Sequence, residues 1–152
     1  MSKSTIPTSC TQTESTVLAA PIDKVWTKFS GFAFDKLAPG QVTSTAYESG
    51  CEGQVGSIIN VVYNDSDKTT WKLRITEYSE RNHTLAYELL AAEPAHNATS
   101  VQGEIKLQAV TTPESQTFVA WTTEFSNDAD LAVISDQKYK KQEFFKDVKT
   151  NL

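Results

Sequence analysis

The stretch between Val42 and Ser126 constrains the fold of this chain more than any other part of the sequence. Apolar and polar residues alternate along it with a period of two, which is typical of β-strands that bury one face. Short runs of Gly, Pro, Asn, Asp and Ser interrupt the alternation, and connections this short join antiparallel neighbours, because parallel strands need long crossovers. Six strands are predicted: VTSTAYES, VGSIINVVY, TTWKLRITEYS, HTLAYELLAA, SVQGEIKLQAV and SQTFVAWTTEF.

The residues that precede this stretch predict a strand and two short helices. An extended run, STVLAA, ends at Pro21, and the apolar residues Ile22, Val25, Trp26 and Phe29 then follow with the spacing of one helical face. The next segment, FAFDKLAPG, is long enough for one or two helical turns. The helix that carries Trp26 is therefore expected to close one end of the sheet, with Trp26 in the core.

The C-terminal stretch returns to helical spacing from about Asp130 to Leu152. Leu131, Ile134, Phe145, Val148 and Leu152 lie on one side of this helix, with Phe144 at the margin. The predicted fold class is therefore α+β. A seven-stranded curved antiparallel sheet wraps around the long C-terminal helix, and two short helices follow strand 1.

Composition limits the function classes that are open to the chain. It has 152 residues, of which 39% are hydrophobic and 22% charged, and we expect one domain at residues 11–152 after a flexible leader at residues 1–10. The net charge of -5 disfavours nucleic acid as a partner, because phosphate contacts need clustered Lys and Arg. No stretch has the apolar length of a signal peptide or a transmembrane helix, so a cytoplasmic location is expected.

Several short stretches, in this order, resemble the START / polyketide cyclase–dehydrase superfamily, which is also called SRPBCC or helix-grip. They are AAPIDKVWTKFSGF, EGQVGSIINV, RITEYSERNHTLAYEL, TFVAWTTEF and SNDADLAVISDQKYKKQEFFKDVKTNL, and the resemblance covers residues 12 to 152. The last stretch is similar to the terminal helix of the small polyketide cyclase-like members. The resemblance implies a large cavity between sheet and helix that takes lipids, sterols, polyketides or other apolar molecules. It does not specify a function, because members include carriers, receptors, cyclases and hydrolytic enzymes.

Alternation along the strands predicts which side chains line that cavity. Gly103 is expected to leave free space, and Trp26 is expected to be core more than ligand contact. The predicted lining consists of Trp26, Ile59, Val61, Tyr63, Trp71, Leu73, Ile75, Leu85, Tyr87, Leu89, Val101, Gly103, Ile105, Trp121, Thr123, Phe125, Ile134, Lys138, Lys141 and Phe145. Where many cyclase-like relatives carry an Arg and a Glu, this chain has Ile59 and Leu73, which weakens the case for acid–base chemistry.

Lys138 and Lys141 are the most informative polar residues of this set. They fall on the helical side of Ile134 and Phe145, where an ammonium group can pair with a carboxylate or enolate of a ligand. Alternatively, both lysines extend to water at the mouth of the cavity. Catalytic candidates are Lys141, Tyr87 and Glu77, since Glu77 continues the inward register of Leu73 and Ile75.

No His, Cys or Asp spacing suggests a metal site, and no cofactor is expected; His83 and His96 fall singly in hairpin loops, where we expect surface placement. The leading hypothesis is a non-catalytic binder or carrier of a small hydrophobic molecule. One alternative is a polyketide cyclase-like aldol or dehydration enzyme. Another is a protein-interaction module that uses the outer face of the sheet.

Overall fold

The computed structural model describes residues 9–152, so most of the predicted leader at residues 1–10 lies outside the described residues. The elements are β1 (Thr11–Leu18), α1 (Ile22–Ser30), α2 (Phe34–Leu37), β2 (Val42–Ser49), β3 (Ile58–Tyr63), β4 (Thr70–Ser79), β5 (Thr84–Glu93), β6 (Val101–Val110), β7 (Gln116–Phe125) and α3 (Leu131–Asn151). All six strands predicted between Val42 and Ser126 are confirmed, with boundaries shifted by at most three residues.

The seven strands form one antiparallel sheet in the order β1-β7-β6-β5-β4-β3-β2. Consecutive strands from β2 to β7 are neighbours, as short turns require. β1 pairs with β7, which brings the two ends of the strand-forming sequence together at one edge. The predicted α+β helix-grip architecture is confirmed.

Helices α1 and α2 close one end of the sheet with aromatic side chains. Pro21 precedes α1, whose inward residues Val25, Trp26 and Phe29 are buried. Phe34 of α2 contacts Phe29, with 6.0 Å between ring centroids, and extends the same apolar cluster toward β7. This segment is called the closed end below; it consists of Trp26, Phe29, Phe32, Phe34 and Leu37.

Helix α3 packs against the inner face of the sheet with a buried side that differs from the predicted one. The Asp130 carboxylate accepts a hydrogen bond from the Val133 N–H at 2.9 Å and caps the helix. Phe144, expected at the margin, is buried, whereas Leu131 is 50% exposed. The buried side is therefore rotated toward Phe144, and the first half of α3 buries less apolar surface than the second half.

Two β-bulges in the β4–β5 pair decide which side chains face inward. Between Ile75 and Glu77 the pairing shifts by one residue, so that Ile75 faces Tyr87 and Tyr78 faces Leu85. Ile75 is buried and Tyr78 half-buried, while Glu77 is exposed on the outer face. The expectation that Glu77 continues the inward register is wrong, because the extra residue of the bulge reverses the alternation at that point.

Candidate functional site

A pocket opens between the inner face of the sheet and the middle of α3. Its volume is about 60 Å³, which is room for roughly four to six water molecules. It is lined by Gln41, Tyr63, Asn64, Asp65, Trp71, Tyr87, Trp121, Gln137, Lys140, Lys141 and Phe144. This space is much smaller than the large cavity that the resemblance implies, because aromatic side chains fill most of the region between the sheet and the middle of α3.

The pocket walls are aromatic. The rings of Tyr63 and Trp71 meet edge to face with 5.8 Å between centroids, and those of Trp121 and Phe144 do so at 5.3 Å. Edge-to-face pairs at these distances stabilise the walls beyond the effect of their buried area. Burial raises the pKa of the Tyr63 and Tyr87 phenols well above the usual tyrosine value. Both phenols are therefore neutral hydrogen-bonding groups at neutral pH.

Tyr87 occupies the space that Gly103 was expected to leave free. The two residues are cross-strand partners, and a Cβ atom on Gly103 would lie 2.2 Å from Cζ of Tyr87. The absence of a side chain at position 103 thus lets the phenol lie flat on β6. There the Tyr87 hydroxyl accepts a hydrogen bond of 2.9 Å from Nε1 of Trp121. The expectation of free space at Gly103 is wrong, since a neighbouring ring fills it.

Lys141 carries the most unusual side chain of the site. It is only 3% exposed, and its Nζ donates a hydrogen bond of 3.0 Å to Oε1 of Gln12. A second, longer contact of 3.5 Å reaches the carbonyl oxygen of Trp121, and Nζ also lies 5.6 Å from the centroid of the Trp121 ring. Burial lowers the pKa of Lys141 to about 7, although the nearby charge of Glu14 acts in the opposite direction.

A polar row crosses the inner face beside this amine. Tyr87, Gly103, Thr123 and Gln12 are successive cross-strand partners on β5, β6, β7 and β1. The Thr123 side chain is 1% exposed, and its hydroxyl has no hydrogen-bond partner within residues 9–152. Burying a hydroxyl without a hydrogen-bond partner costs folding free energy, and packing of the core alone does not require a polar side chain at this position.

The mouth of the pocket lies between α3 and the loop that joins β3 to β4. Nζ of Lys140 is 3.1 Å from Asp136 and lies 5.7 Å from the centroid of the Tyr63 ring. Gln137 on α3, and Asn64 and Asp65 on the loop, complete the rim. The polar rim and aromatic wall give the pocket the usual anatomy of a small-molecule site.

The structure brings some of the predicted site residues to this pocket and places others elsewhere. Tyr63, Trp71, Tyr87, Trp121 and Lys141 line it. The remaining predicted strand and helix positions are buried or half-buried in the core around it: Ile59, Val61, Leu73, Ile75, Leu85, Leu89, Val101, Gly103, Ile105, Thr123, Phe125, Ile134 and Phe145.

Three predicted residues lie away from the pocket. Trp26 is buried at the closed end, where its Nε1 donates a hydrogen bond of 3.1 Å to Glu80. Glu77 lies on the outer face, as described above. The placement of Lys138 in the cavity lining is wrong. The buried side of α3 is rotated toward Phe144, and Lys138 lies on the other side of the helix, where it is exposed.

Six residues that complete the pocket were not predicted to line it: Gln137, Lys140 and Phe144 on α3, and Gln41, Asn64 and Asp65 on loops. Gln137, Lys140, Lys141 and Phe144 have i, i+3, i+4, i+7 spacing, which is the pattern of one helical face. That helical face could have been recognised from the sequence, but it mixes polar and aromatic residues. The neighbouring face that contains Phe145 is more apolar and therefore gives the stronger pattern. Gln41, Asn64 and Asp65 carry no pattern, since loops place them.

The two histidines are less exposed than predicted. His83 packs edge-on against Trp26 at 5.4 Å, and His96 is half-buried between Trp71 and Phe125. Burial lowers the pKa of His96 below the usual histidine value. Within residues 9–152 no three His, Cys, Asp or Glu side chains come together as metal ligands, and no helix there has the length and apolarity needed to cross a membrane.

Solved structures of the same fold place this architecture among known proteins. A protein from Nitrosospira multiformis, solved in a structural genomics programme, is 20% identical; the match covers 92% of this chain and 94% of that one, with a TM-score of 0.75. Major latex-like protein 151 from Panax ginseng is 15% identical, with coverage of 92% and 95% and a TM-score of 0.73. No model of a protein family and no curated protein matches the sequence. The likeness shows a shared helix-grip fold.

Proposed function

We propose that this chain binds a small, largely apolar molecule in the pocket between the sheet and α3. The observation that carries the proposal is a concave site with aromatic walls and a single buried amine, that of Lys141. Few other buried groups of the core are polar, so the main driving force for binding is removal of apolar ligand surface from water. The same fold hosts many functions, so the pocket and not the fold supports this role.

The size of the pocket adds a condition to the proposal. Sites for small molecules usually have volumes of roughly 300–1,000 Å³. The volume of this pocket, about 60 Å³, is several times smaller. A ligand of ordinary size therefore needs side chains of α3 to move. The first half of α3 is the element suited to this movement, because Leu131, Lys138 and Tyr139 are exposed and contribute little burial.

Amide chemical shifts locate the bound molecule directly. We expect a neutral apolar probe, 2-phenylethanol, to bind saturably and to shift the amide signals of Gln41, Tyr63, Trp71, Gln137 and Lys140. Signals from the outer face, such as those of Glu104 and Phe118, serve as the internal control because these side chains point away from the pocket. Shifts confined to the outer face, or no saturation, would overturn the proposal.

A second candidate function is a cyclase or dehydratase activity of the small polyketide cyclase-like kind. Two observations favour it: the pKa of Lys141 at about 7, which suits proton transfer near neutral pH, and the Tyr87 hydroxyl in the same pocket. Glu77 takes no part in this version, since it is on the outer face. Turnover of a linear polyketone by the wild type, Lys141→Met and Tyr87→Phe tests it; equal rates in all three would eliminate the enzyme hypothesis.

The third hypothesis, a protein-interaction module, has less support. Val17 and Phe118 are cross-strand partners and are both exposed on the outer face, but the same face carries the charged side chains of Glu77, Glu104 and Glu124. A patch of two apolar residues is smaller than the surfaces that usually mark a partner site.

A further inference from the structure

The hydrogen bonds of the Lys141 amine are incomplete. A protonated amine has three N–H donors. One reaches Gln12 at 3.0 Å and one makes a long contact of 3.5 Å with the Trp121 carbonyl, so at least one donor has no acceptor among residues 9–152. The amine therefore has unused capacity to donate, at a place where water is largely excluded.

The groups around the amine leave its charge poorly balanced. Glu14 of β1 is the carboxylate that acts on it, and the Glu14 side chain also accepts hydrogen bonds from Gln12 and Gln142. From β3 and β5 the pocket receives the neutral phenols of Tyr63 and Tyr87. At the mouth, Lys140 of the same helix is paired with Asp136, and Asp65 of the β3–β4 loop lies on the rim.

We propose that the ligand of this pocket is a small monocarboxylic acid with an aromatic or aliphatic body, and that its carboxylate pairs with the Lys141 ammonium while the protein takes up one proton. This inference rests on the proposed function, because it names the class of molecule that the same pocket takes. A single buried amine supplies one charge, which matches one carboxylate and not a phosphate or a dicarboxylate. The aromatic walls match the apolar body of the acid.

Neutral ligands are expected to bind to this site less tightly than acids do. An alcohol of the same shape buries the same apolar surface but leaves the ammonium without a charged partner. A carboxylate completes its hydrogen bonds with a charge-assisted pair, which is stronger than a neutral one and stronger again where water is excluded. The unpaired hydroxyl of Thr123 indicates that the polar row beside the amine is likewise short of a partner.

Proton uptake follows from the same geometry. Burial disfavours the charged amine in the free protein, whereas a bound carboxylate favours it. The complex therefore holds a proton that the free protein releases at weakly alkaline pH. The apparent affinity for an acid must then fall by up to about tenfold for each pH unit above the range in which the free amine titrates.

Calorimetry with a matched pair of probes tests this inference. Phenylacetate and 2-phenylethanol share the same body and differ in the carboxylate. For the wild type at pH 7 we expect phenylacetate to bind at least about tenfold more tightly, as one charge-assisted hydrogen bond warrants. In Lys141→Met this preference should disappear. Lys138→Met, which removes an exposed lysine three residues away on the same helix, should keep it.

Titrations in phosphate and in Tris at pH 8 measure the proton. The two buffers differ in ionisation enthalpy, so the difference in heat gives the number of protons taken up. We expect close to one proton per bound phenylacetate for the wild type and none for 2-phenylethanol. This measurement uses the wild-type protein alone and does not depend on any variant. Circular dichroism checks that Lys141→Met folds, and Lys141→Gln replaces it if it does not.

The outcomes separate this inference from the proposed function. If 2-phenylethanol binds as tightly as phenylacetate, or phenylacetate binds without proton uptake, the acid inference is wrong and the proposed function stands. If neither probe binds, both are wrong. An equal loss of acid binding in Lys138→Met would also overturn the inference, because it would trace the preference to surface charge.

Discussion

The two ends of the inner face use the same kinds of residue to different effect. At the closed end, Phe29, Phe32 and Leu37 are at most 1% exposed, and the rings pack against one another around Phe34. At the pocket end, rings of similar size surround a gap and a buried amine. Aromatic content alone therefore does not decide whether a core is solid or hollow. The pocket end differs from the closed end in carrying a buried polar row beside its aromatic side chains, made of Lys141, Gln12 and Thr123.

The closed end should respond to truncation like an ordinary core. We expect Phe29→Ala to lower the free energy of unfolding by about 3–5 kcal/mol, because it leaves a cavity at a side chain that is completely buried. Urea denaturation measures the change. Phe118→Ala, on the outer face, is the matched control and should cost less than about 1 kcal/mol. Similar losses for both variants would contradict the contrast between solid core and surface.

The pocket end should make stability depend on pH above neutrality. Because the pKa of Lys141 is lowered to about 7 in the folded protein, the unfolded chain binds more protons between pH 7 and the ordinary lysine value. Stability from this group therefore rises with pH above 7, with a slope that approaches about 1.4 kcal/mol per pH unit. Below pH 7 the cost of burying the charge is present in full.

Lys141→Met removes that slope. We expect the variant to be more stable than the wild type at pH 6, and we expect this advantage to shrink by about 3 kcal/mol between pH 6 and pH 9. Denaturation from pH 6 to pH 9 measures it, and this range ends before unfolded tyrosines ionise. Lys138→Met should leave the wild-type slope unchanged. If the free energy of unfolding of the wild type and of Lys141→Met changed with pH in the same way, the burial of this amine without a paired carboxylate would be contradicted.

Gly103→Ala tests how tightly the pocket end is filled beside the gap. The added methyl group overlaps Cζ of Tyr87, so the phenol must move off β6 and give up its hydrogen bond from Trp121. We expect a loss of about 1–3 kcal/mol, as overpacking usually costs. Thermal unfolding of the single variant and of the same change in a Tyr87→Leu background gives the coupling. A cost unaffected by Tyr87→Leu would mean that backbone effects, and not the ring, cause the loss.

The smallest expected effect concerns the start of α3, the helix whose middle lines the pocket. Asp130→Ala removes the cap of this helix, so we expect about 1 kcal/mol less stability and faster amide exchange in the first turns. Ser135→Ala, at an exposed position of the same helix, is the control and should change little. Slower or unchanged exchange at Val133 and Ile134 would contradict a stabilising role of this cap.

Prediction from sequence was most successful where the pattern is local. Alternation over Val42 to Ser126 gave the six strands, and the short turns between them gave their antiparallel order, because period and connection length are properties of adjacent residues. Four of the predicted strand residues, Tyr63, Trp71, Tyr87 and Trp121, also reach the pocket, since strand alternation assigns a face correctly wherever the register is regular.

The errors fall where neighbours in space decide the outcome. Glu77 is on the outer face because of a β-bulge in the pairing of β4 with β5, and no residue of the β4 sequence predicts that bulge. The space above Gly103 is full because Tyr87 of the adjacent strand lies in it. Lys138 and Lys141 look alike on a helical projection, but the rotation of α3 against the sheet buries one and exposes the other.

The sequence by itself determined that this chain forms a curved antiparallel sheet with a long C-terminal helix, because the periods of its apolar residues match those two elements. The tertiary structure alone decided how large the pocket is and which amine enters it. Both depend on how side chains from distant parts of the chain fill a shared space, and the free energy of that packing is not a property of any one segment. For that reason the functional hypothesis rests on Lys141. Its buried position is known only from its contacts with Gln12 and Trp121, which lie far from it in the sequence.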